Sequence, residues 1–361
     1  MNTKVNNKSN ELVSILSDKT GWNLARVRFL AAFICSLCKL QTVCYVKLAQ
    51  DLSPTAKFES NLRRIQRFFA DFIVDSNLIA KIIFSMLPSE PPYRLSLDRT
   101  NWKFGATNIN ILMISICHQG VGIPLIWSML DKRGNSNEQE RKDLLDRYIK
   151  LFGHKSIESI GADREFIGDK WIDDLIKKDM RFFIRIKENM WVNVPGKGNK
   201  KAFWLFNSLP LNKAHHYRKI VKLGNNYVYL SGMRTLGKNN KIEFVIIATY
   251  QYSTDTLLIY KDRWQIETMF RALKSSGFNF EDTHLSDPER ISKLLSLVCI
   301  AFIWAYQVGI YRDQNIAPIK IKKHGRRAYS YFKYGLIFIA YALLCNVEPN
   351  IQIITKILSC T

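Results

Sequence analysis

The chain contains 361 residues, of which 47% are hydrophobic, so it can bury a large core and form more than one domain. Its formal net charge of +22 indicates a polyanionic partner, nucleic acid rather than membrane. The polar N-terminus does not resemble a signal peptide, and seven cysteines in a chain of this size indicate reduced thiols. We therefore expect a cytoplasmic protein and not a secreted, disulfide-bonded one.

The N-terminal region is predicted to be helical and to bind DNA. Asn23 to Leu40 has the pattern of one amphipathic helix, and Asn61 to Phe72 has that of another. In the second helix, apolar residues form one arc and a basic arc carries Arg63, Arg64 and Arg67. Clustered arginines can bind DNA phosphates, although exposed arginines on an ordinary soluble helix are an equal alternative.

A series of apolar or alternating β-type runs follows a proline-rich segment at residues 87–93. The runs predicted as strands are Tyr93–Leu97, Asn110–Cys117, Pro124–Leu130, Ile157–Ala162, Arg181–Ile186 and Phe244–Ala248. Helices are predicted among them at Asn137–Leu151 and Gly168–Lys178. Strands that first come alone and then alternate with helices predict a mixed α/β sheet with flanking helices.

Residues 188–242 interrupt this pattern and are predicted to form a basic, β-rich insertion. Its aromatic and cationic side chains are interleaved, so they can stack on unpaired bases or equally fill a small β core. After Asp287 the chain is predicted to be helical to its end. The longest apolar run, Leu294 to Tyr311, is interpreted as a buried helix rather than a membrane span.

The segment from Ser253 to Gly277 organises the candidate site. N-cap residues at its start and a glycine at its end predict one helix of about 22 residues. At about 100° per residue, one narrow stripe of this helix carries Tyr260, Arg263, Glu267, Arg271 and Lys274. A neighbouring arc is expected to face a core and contains Leu258, Ile266, Met269, Phe270 and Leu273. The stripe can be a solvated face with ordinary ion pairs, or it can hold a metal-bound phosphate.

Two aspartates at the ends of predicted strands supply further carboxylates. Asp98 follows Tyr93–Leu97, and Asp163 follows Ile157–Ala162. A carboxylate at such a position is held rigidly and is still reachable, although a single one is usually a turn or cap residue. Together with Glu267, the two aspartates offer hard oxygen ligands on separate elements, as two Mg²⁺ ions in phosphoryl transfer require.

Four residues of the predicted helix have the spacing of a known family motif. Tyr, two residues, Arg, three residues, Glu, six residues and Lys stand complete at Tyr260, Arg263, Glu267 and Lys274. LDRTNW surrounds Asp98, GADREF surrounds Asp163, and KYGL occupies residues 333–336. Over essentially the whole chain, the sequence resembles bacterial insertion-sequence transposases of the DDE type, in the insertion-sequence-four family.

This resemblance implies a fold, a site and a set of boundaries. The fold would be a ribonuclease-H-like mixed sheet with flanking helices, interrupted by the β-rich insertion, with helical N- and C-terminal regions. The catalytic metal ligands would be Asp98, Asp163 and Glu267, and the DNA end would be held by Tyr260, Arg263 and Lys274, assisted by Arg271. The predicted domains are 1–90 for DNA binding, 91–187 with 243–312 for catalysis, 188–242 for the insertion and 313–361 for the helical C-terminal region.

The resemblance also implies a reaction and its partners. Water nicks the transposon end, the freed 3′-OH forms a hairpin on the opposite strand, the hairpin opens, and the 3′-OH joins target DNA. The implied cofactor is a pair of Mg²⁺ ions, for which Mn²⁺ can substitute. The partners would be double-stranded DNA of the terminal inverted repeats and the target, with a homodimer in the synaptic complex and no membrane. The protein would be bacterial and cytoplasmic, and associated with the nucleoid when bound to DNA.

Three questions stay open at this point. Relatives stack a flipped base on a tryptophan of the insertion, but Trp191 and Trp204 lie far ahead of Glu267 in this sequence and residues 231–241 contain none. The chain could also be a ribonuclease-H-like nuclease that cuts without joining. It could be an inactive DNA-binding repressor derived from a transposase, although all three carboxylates and the full helix motif are present.

Overall fold

The computed structural model describes residues 13–14, 16–237 and 240–359. These residues form two compact units. The first, called the helical unit, takes its residues from 1–90, 101–109 and 268–361. The second, called the sheet unit, comprises Pro91–Thr100 and Asn110–Glu267. The domain boundaries expected from the sequence stay predictions.

Helices precede, connect and follow the strands along the chain. The N-terminal helices are α1 (Leu24–Leu40), α2 (Tyr45–Asp51), α3 (Phe58–Asp71) and α4 (Ser76–Ser85). The first half of the sheet and its helices are β1 (Tyr93–Phe104), β2 (Thr107–His118), β3 (Val121–Met129), α5 (Glu138–Phe152), β4 (Ile157–Ala162), α6 (Asp169–Lys177) and β5 (Phe182–Ile186). The second half contains β6 (Trp191–Val194), β7 (Gly198–Lys201), β8 (His215–Leu223), β9 (Asn226–Leu236) and β10 (Ile242–Thr249). The helices that follow are α7 (Thr256–Tyr260), α8 (Gln265–Lys274), α9 (Pro288–Asn315), α10 (Tyr331–Cys345) and α11 (Glu348–Ser359).

Helix α9 forms the core of the helical unit. It is apolar on all sides, as expected of a helix surrounded by other helices, and Asp287 caps its first turn by accepting a hydrogen bond from the Arg290 amide. Its length and composition would allow a membrane span, but 83% of its most apolar window is buried inside the protein. The interpretation of Leu294–Tyr311 as part of a buried helix agrees with this burial. Gly309 and Gly335 let α9 and α10 approach so closely that a Cβ at either position would overlap backbone of the other helix.

Helix α3 has the two arcs that the sequence predicted. Ile65, Phe68 and Phe69 are buried, whereas the three arginines of the basic arc are exposed, namely Arg63, Arg64 and Arg67. The arginines are therefore accessible to a ligand without any change in the packing of the helix.

The strands form one mixed sheet in the order β3-β2-β1-β4-β5-β10-β9-β8-β6-β7. The central strands β1, β4 and β5 are parallel, and β2 pairs with β3, β5 with β10 and β9 with β10 in antiparallel orientation. Helix α5 connects the edge strand β3 to the central strand β4, and helix α6 is the crossover from β4 to β5. A mixed sheet with flanking helices and helical terminal regions confirms the predicted ribonuclease-H-like fold class.

The β-rich insertion adds strands to this sheet. Strands β6 to β9 fall within residues 188–242 and continue the sheet beyond β10. One face of the added strands is buried and aliphatic, with Val192, Val194, Val221, Leu223, Val228 and Leu230 at 0–2% exposure. The strict alternation of buried and exposed residues in β6 explains why this basic, polar segment still forms regular strands.

Candidate active site

The parallel pairing of β1 with β4 places the two aspartates side by side. Leu97 pairs with Ala162 at the end of the parallel ladder, so Asp98 and Asp163 are the next residues on neighbouring strands. Asp163 follows β4 as predicted, but β1 continues past Asp98 to Phe104. Asp98 therefore lies within a strand and not at its end. The parallel ladder between β1 and β4 ends at Leu97, so Asp98 still lies at the edge of the paired region, as the sequence predicted for a strand terminus.

The organising segment is helical but is not one α-helix. A 3₁₀ turn, Lys261–Trp264, separates α7 from α8. The carbonyl oxygen of Asp262 accepts a hydrogen bond from Cys117 Sγ at 3.3 Å, and that of Arg263 accepts one from Ser96 Oγ at 3.1 Å. The Gln265 amide also donates to both carbonyl groups, so these side chains of the sheet add hydrogen bonds that hold the tighter turn in place.

The 3₁₀ turn also corrects one expected core residue. Ile266, Met269, Phe270 and Leu273 are buried, but Leu258 is 64% exposed. Its neighbours Leu257 and Ile259 are buried instead and pack with Tyr260 against Phe183 and Ile247 of the sheet. A 3₁₀ turn advances about 120° per residue instead of about 100°, so the residues before it are out of phase with those after it.

Two glycines allow this segment to lie against the strands. A Cβ at Gly161 of β4 would come to 3.4 Å from Cβ of Arg263. A Cβ at Gly122 of β3 would come to 3.1 Å from the Cα of Ile266. The absence of these two side chains brings the backbone of the 3₁₀ turn and of α8 close to the sheet, and Arg263 with it.

Arg263 lies at the centre of the site. Its side chain is only 4% exposed, and it pairs with Glu267 at 2.6 Å and with Asp98 at 3.5 Å. Tyr260 lies beside it, with the guanidinium carbon 5.7 Å from the centre of the phenol ring. The Tyr260 hydroxyl donates to Asp163 Oδ1 at 3.5 Å. The structure thus brings together five of the predicted site residues, all within the sheet unit.

Burial sets the protonation behaviour of the site. It raises the pKa of Asp98 from 3.8 to about 6, against the opposing effects of the Arg99 amide and the Arg263 guanidinium. Burial also raises the pKa of the Tyr260 phenol above its ordinary value, so this group stays neutral and can donate a hydrogen bond. Asp98 is consequently a carboxylate that binds a proton more readily than an exposed aspartate does.

A second arginine connects strand β1, next to Asp98, with the turn that follows Asp163. Arg99 pairs with Glu165 at 3.3 Å, and its guanidinium donates to the side-chain oxygens of Asn110 and Asn135 at 3.1 Å each. The backbone amide of Arg99 donates to Asp98 Oδ1 at 2.7 Å. We did not identify Arg99 and Glu165 from the sequence, although both lie within two residues of a predicted aspartate.

The donor set suits a hard divalent cation, since it consists of three carboxylates on separate elements. The Asp98 side chain is 16% exposed, and its ion pair with Arg263 is long, which leaves this carboxylate weakly compensated. Within residues 13–14, 16–237 and 240–359, no three Asp, Glu, His or Cys side chains are arranged to hold one ion. The Arg263 guanidinium bonds to two of the three predicted ligands, Asp98 and Glu267. The residues therefore fit the ion in chemistry, while in this structure the Arg263 guanidinium pairs with Asp98 and Glu267.

The remaining predicted site residues belong to the helical unit. Lys274 pairs with Glu281 at 2.5 Å, donates to the Asn101 carbonyl at 3.4 Å and lies 5.3 Å from the centre of the Trp102 ring. Arg271 is exposed. Their placement relative to the carboxylates stays a prediction, as do the DNA contacts of both residues.

The sheet unit also contains a basic cavity of about 480 Å³. Arg164, Arg185 and Lys187 line it, together with Glu188, Glu243 and Phe244. Arg164 directly follows Asp163, and Arg185 donates to the Phe244 carbonyl at 3.4 Å. The signal for this cavity in the sequence was the Arg-x-Lys at the end of a predicted apolar strand, which we did not single out.

The order β3-β2-β1-β4-β5 with parallel central strands and flanking helices is the fold of the ribonuclease-H-like class. The chain belongs to the family of transposase DDE domains, whose pattern matches residues 92–304, more than half of the chain. The matched range contains all three carboxylates and confirms the prediction of a DDE transposase. Membership of the insertion-sequence-four family and a bacterial origin stay predictions.

Curated proteins and solved structures give two further results. No curated protein matches the sequence significantly. Among solved structures, the chain is similar to the piggyBac transposase in a cryo-EM synaptic complex with hairpin DNA, with 11% identity and a TM-score of 0.47. That similarity covers 97% of this chain and 82% of the other.

Proposed function

We propose that this transposase binds the ends of an insertion sequence, cleaves them by metal-dependent phosphoryl transfer and joins the freed 3′-OH to target DNA. The observation that carries the proposal is one buried arginine paired with Asp98 and Glu267, next to a tyrosine that is hydrogen-bonded to Asp163, in a DDE-family chain. The net charge of +22 supports a DNA partner. We further propose an insertion-sequence-four enzyme of the bacterial cytoplasm that acts as a homodimer on inverted repeats and target DNA and passes through a hairpin.

The metal ligands in this proposal are Asp98, Asp163 and Glu267, which would hold two Mg²⁺ ions, or Mn²⁺ in their place. When bound, the ions would lower the pKa of the attacking water or 3′-OH and neutralise charge on the leaving oxygen. Asp98 must be deprotonated for this role, which its pKa of about 6 permits at neutral pH. Glu267, which is 53% exposed, lies where an incoming ligand can reach it.

The other residues of the site would position the carboxylates and the phosphates of the DNA end. Arg263 keeps Asp98 and Glu267 close to each other through its two ion pairs. Its planar guanidinium can also bind a phosphate in bidentate fashion, whereas Lys274 offers a point charge. Tyr260 holds Asp163 through its hydroxyl. We propose that Arg263, Lys274 and Tyr260, with Arg271, clamp the phosphates of the DNA end, so that the 3′-OH stays in place between steps.

The test is a time course on a labelled duplex that carries the element's end, scored for nicked, hairpin and joined products. Asp98→Asn, Asp163→Asn and Glu267→Gln should each abolish every product while end binding persists, because phosphate contacts from Lys and Arg remain. Glu158→Gln is the matched control, since Glu158 is an acid of the same sheet that pairs with Arg94 at 2.9 Å. It should leave all products unchanged.

The outcomes separate the proposal from its alternatives. Near-normal cleavage by one of the three variants would remove that residue from the metal site. Nicked products without joined ones from the wild type would indicate a nuclease, and end binding without any product would indicate a repressor.

A further inference from the structure

A short hairpin connects helices α9 and α10 of the helical unit. Ile321 and Arg327 form an antiparallel bridge across it. The Gly325 amide donates to the Lys322 carbonyl at 2.8 Å, and Gly325 has a φ of +78°, in the left-handed region. A three-residue loop that ends on a left-handed glycine is a common hairpin connection. Residues 319–328, called the basic hairpin, therefore have a regular backbone.

Both ends of the basic hairpin are attached to the helices that flank it. At the first end, Ile319 is buried and its amide donates to Asp313 Oδ1 of α9 at 2.6 Å. At the other end, the guanidinium carbon of Arg327 lies 4.2 Å from the centre of the Tyr331 ring of α10. A stacked cation of this kind holds the second strand of the hairpin against the helix. The conformation is thus set before any partner binds.

The rest of the basic hairpin carries charge of a single sign. Its exposed cations are Lys320, Lys322, Lys323 and Arg326. The 34 residues from 314 to 347 contain six Lys and Arg and not one Asp or Glu. Folded surfaces normally mix charges of both signs, so an exposed basic projection within such a run indicates a polyanionic partner.

The shape of the basic hairpin matches one groove of duplex DNA. Successive residues of a strand point to opposite faces, so Lys320 and Lys322 share one face, whereas Ile321 and Arg327 share the other. Two paired strands lie about 4.8 Å apart before their side chains are added. The major groove, about 12 Å wide, admits such a two-stranded ribbon, while the minor groove is only about 6 Å wide.

We propose that the basic hairpin enters the major groove of duplex DNA, with Lys322, Lys323 and Arg326 at its tip in contact with phosphates and base edges. Lys and Arg are suited to both kinds of contact, because they bind phosphate oxygens and the acceptor atoms of guanine. The choice of DNA as the polyanion rests on the proposed function. The binding itself needs neither metal nor the three carboxylates.

The first experiment measures the affinity of the full-length protein for a DNA duplex of random sequence in the presence of a chelator. Lys322→Gln, Lys323→Gln and Arg326→Gln are combined in one protein, called the triple variant. It should bind more weakly and reduce the salt slope of duplex binding by about 2.7, because three phosphate-neutralising charges are lost. An unchanged slope would overturn the proposal.

The matched control removes the same charge from the sheet unit. Lys150, Lys155 and Lys177 are exposed and lie at the ends of α5 and α6 that lead into β4 and β5, whereas Asp163 follows the other end of β4. Replacing these three lysines by Gln should leave the salt slope unchanged. A reduction equal to that of the triple variant would show that net charge, and not the hairpin, is responsible.

The second experiment changes the shape of the basic hairpin and keeps every charge. Gly325→Val should weaken duplex binding by about 5-fold or more, because a β-branched residue is strained at a positive φ. A Cβ at Gly325 would meet no atom within 4 Å, so the loss would reflect backbone conformation and not a clash. Gly325→Asn should stay within about twofold of the wild type, since Asn tolerates this region. Equal affinities for Gly325→Val and the wild type would overturn insertion of a preformed hairpin.

The third experiment identifies the groove. An RNA duplex carries the same kind of backbone charge, but its major groove is too deep and narrow for side chains to read. The triple variant should therefore lose less affinity for an RNA duplex than for a DNA duplex. Methyl green, which occupies the major groove of DNA, should weaken the wild type more than the triple variant, whereas netropsin in the minor groove should affect both alike.

Three results of this experiment would overturn the proposal. They are an equal loss on RNA and DNA, a difference between the two proteins with netropsin alone, and lost binding to phosphatidylserine vesicles with unchanged duplex binding. The last result would assign the basic hairpin to a membrane surface. None of these measurements needs cleavage, so a failed catalytic assay and a failed binding assay remain distinguishable.

Discussion

The buried ion pair between Arg263 and Asp98 leads to a prediction about stability and pH. At a separation of 3.5 Å and an effective dielectric constant of about 20, the attraction between the two charges is about 4.7 kcal/mol. Arg263→Gln removes it and leaves Asp98 buried without a cation, which for buried pairs costs about 3–5 kcal/mol of folding free energy. The Glu267 pair adds little, about 0–1 kcal/mol, because Glu267 is 53% exposed and solvent screens it.

The pH dependence follows from the raised pKa of Asp98. Burial raises this pKa from 3.8 to about 6, so the folded state binds more protons than the unfolded state between those values. The contribution of Asp98 to the stability of the wild type therefore falls by about 3 kcal/mol as the pH rises through this window. Removing Arg263 raises the pKa further, and the decline then continues above pH 6. The loss caused by Arg263→Gln should thus be about 3–5 kcal/mol at pH 8 and smaller, about 1–2 kcal/mol, at pH 5, where Asp98 is largely neutral in both proteins.

Urea unfolding of the wild type, Arg263→Gln, Asp98→Asn and the double variant at pH 5 and pH 8 tests this reasoning. In the Asp98→Asn background, the Arg263→Gln loss at pH 8 should shrink toward its value at pH 5. Arg94→Gln is the matched control, since Arg94 also pairs with two acids, Glu158 and Asp262, but is 38% exposed. It should cost about 0–1 kcal/mol at either pH. Equal losses for Arg263→Gln at both pH values, or no coupling to Asp98, would refute the account.

Three further predictions concern metal, charge and the DNA end. Mn²⁺ affinity, measured by electron paramagnetic resonance, should fall below pH 6. Burial raises the pKa of Asp98 to about 6, so below that pH a proton on Asp98 competes with the ion. A flat affinity profile from pH 8 to pH 5 would exclude Asp98 as a ligand. Neutralising Arg63, Arg64 and Arg67 together should flatten the salt slope of duplex binding by about 2.7. Stability should not fall, because all three side chains are exposed. An unchanged slope would mean that they do not contact DNA. Lys274→Gln should retain first-strand nicking but lose hairpin and joined products, because a poorly held 3′-OH loses the advantage of proximity; a uniform loss at every step would argue against a clamp.

Local patterns in the sequence predicted most of the elements because each of them depends on neighbours in the chain. The strand Ile157–Ala162 was predicted with its observed bounds, and the helices α1, α5 and α6 within about two residues of theirs, since caps and apolar periodicity act within a few residues. The amphipathic arcs of α3 were predictable for the same reason. The strand content of residues 188–242 was predicted from the short β-type pieces that recur in this segment.

The organising segment shows where local patterns fail. Residues 253–277 have the caps and composition of one continuous helix, but a 3₁₀ turn interrupts it where Ser96 and Cys117 of distant strands donate hydrogen bonds to its carbonyl groups. The exposure of Leu258 follows from that turn and could not be read from the helical period. Ser96 and Cys117, which bond to the turn, lie more than 140 residues away in the sequence, so the local pattern of residues 253–277 does not include them.

The sequence by itself determined which chemical groups this protein has: three carboxylates, a phenol and a set of cations at a recognisable spacing, within a family whose members are transposases. Only the tertiary structure decided how those groups meet. The parallel pairing of β1 with β4 sets Asp98 beside Asp163, and the 3₁₀ turn packed on Gly161 brings Arg263 between Asp98 and Glu267. It also separated the aromatics of the insertion into core and surface, burying Phe206 while leaving Trp191 and Tyr227 exposed. The physical reason is that strand pairing, desolvation and ion pairing act between residues far apart in the chain, whereas a sequence pattern records only what neighbours along the chain prefer.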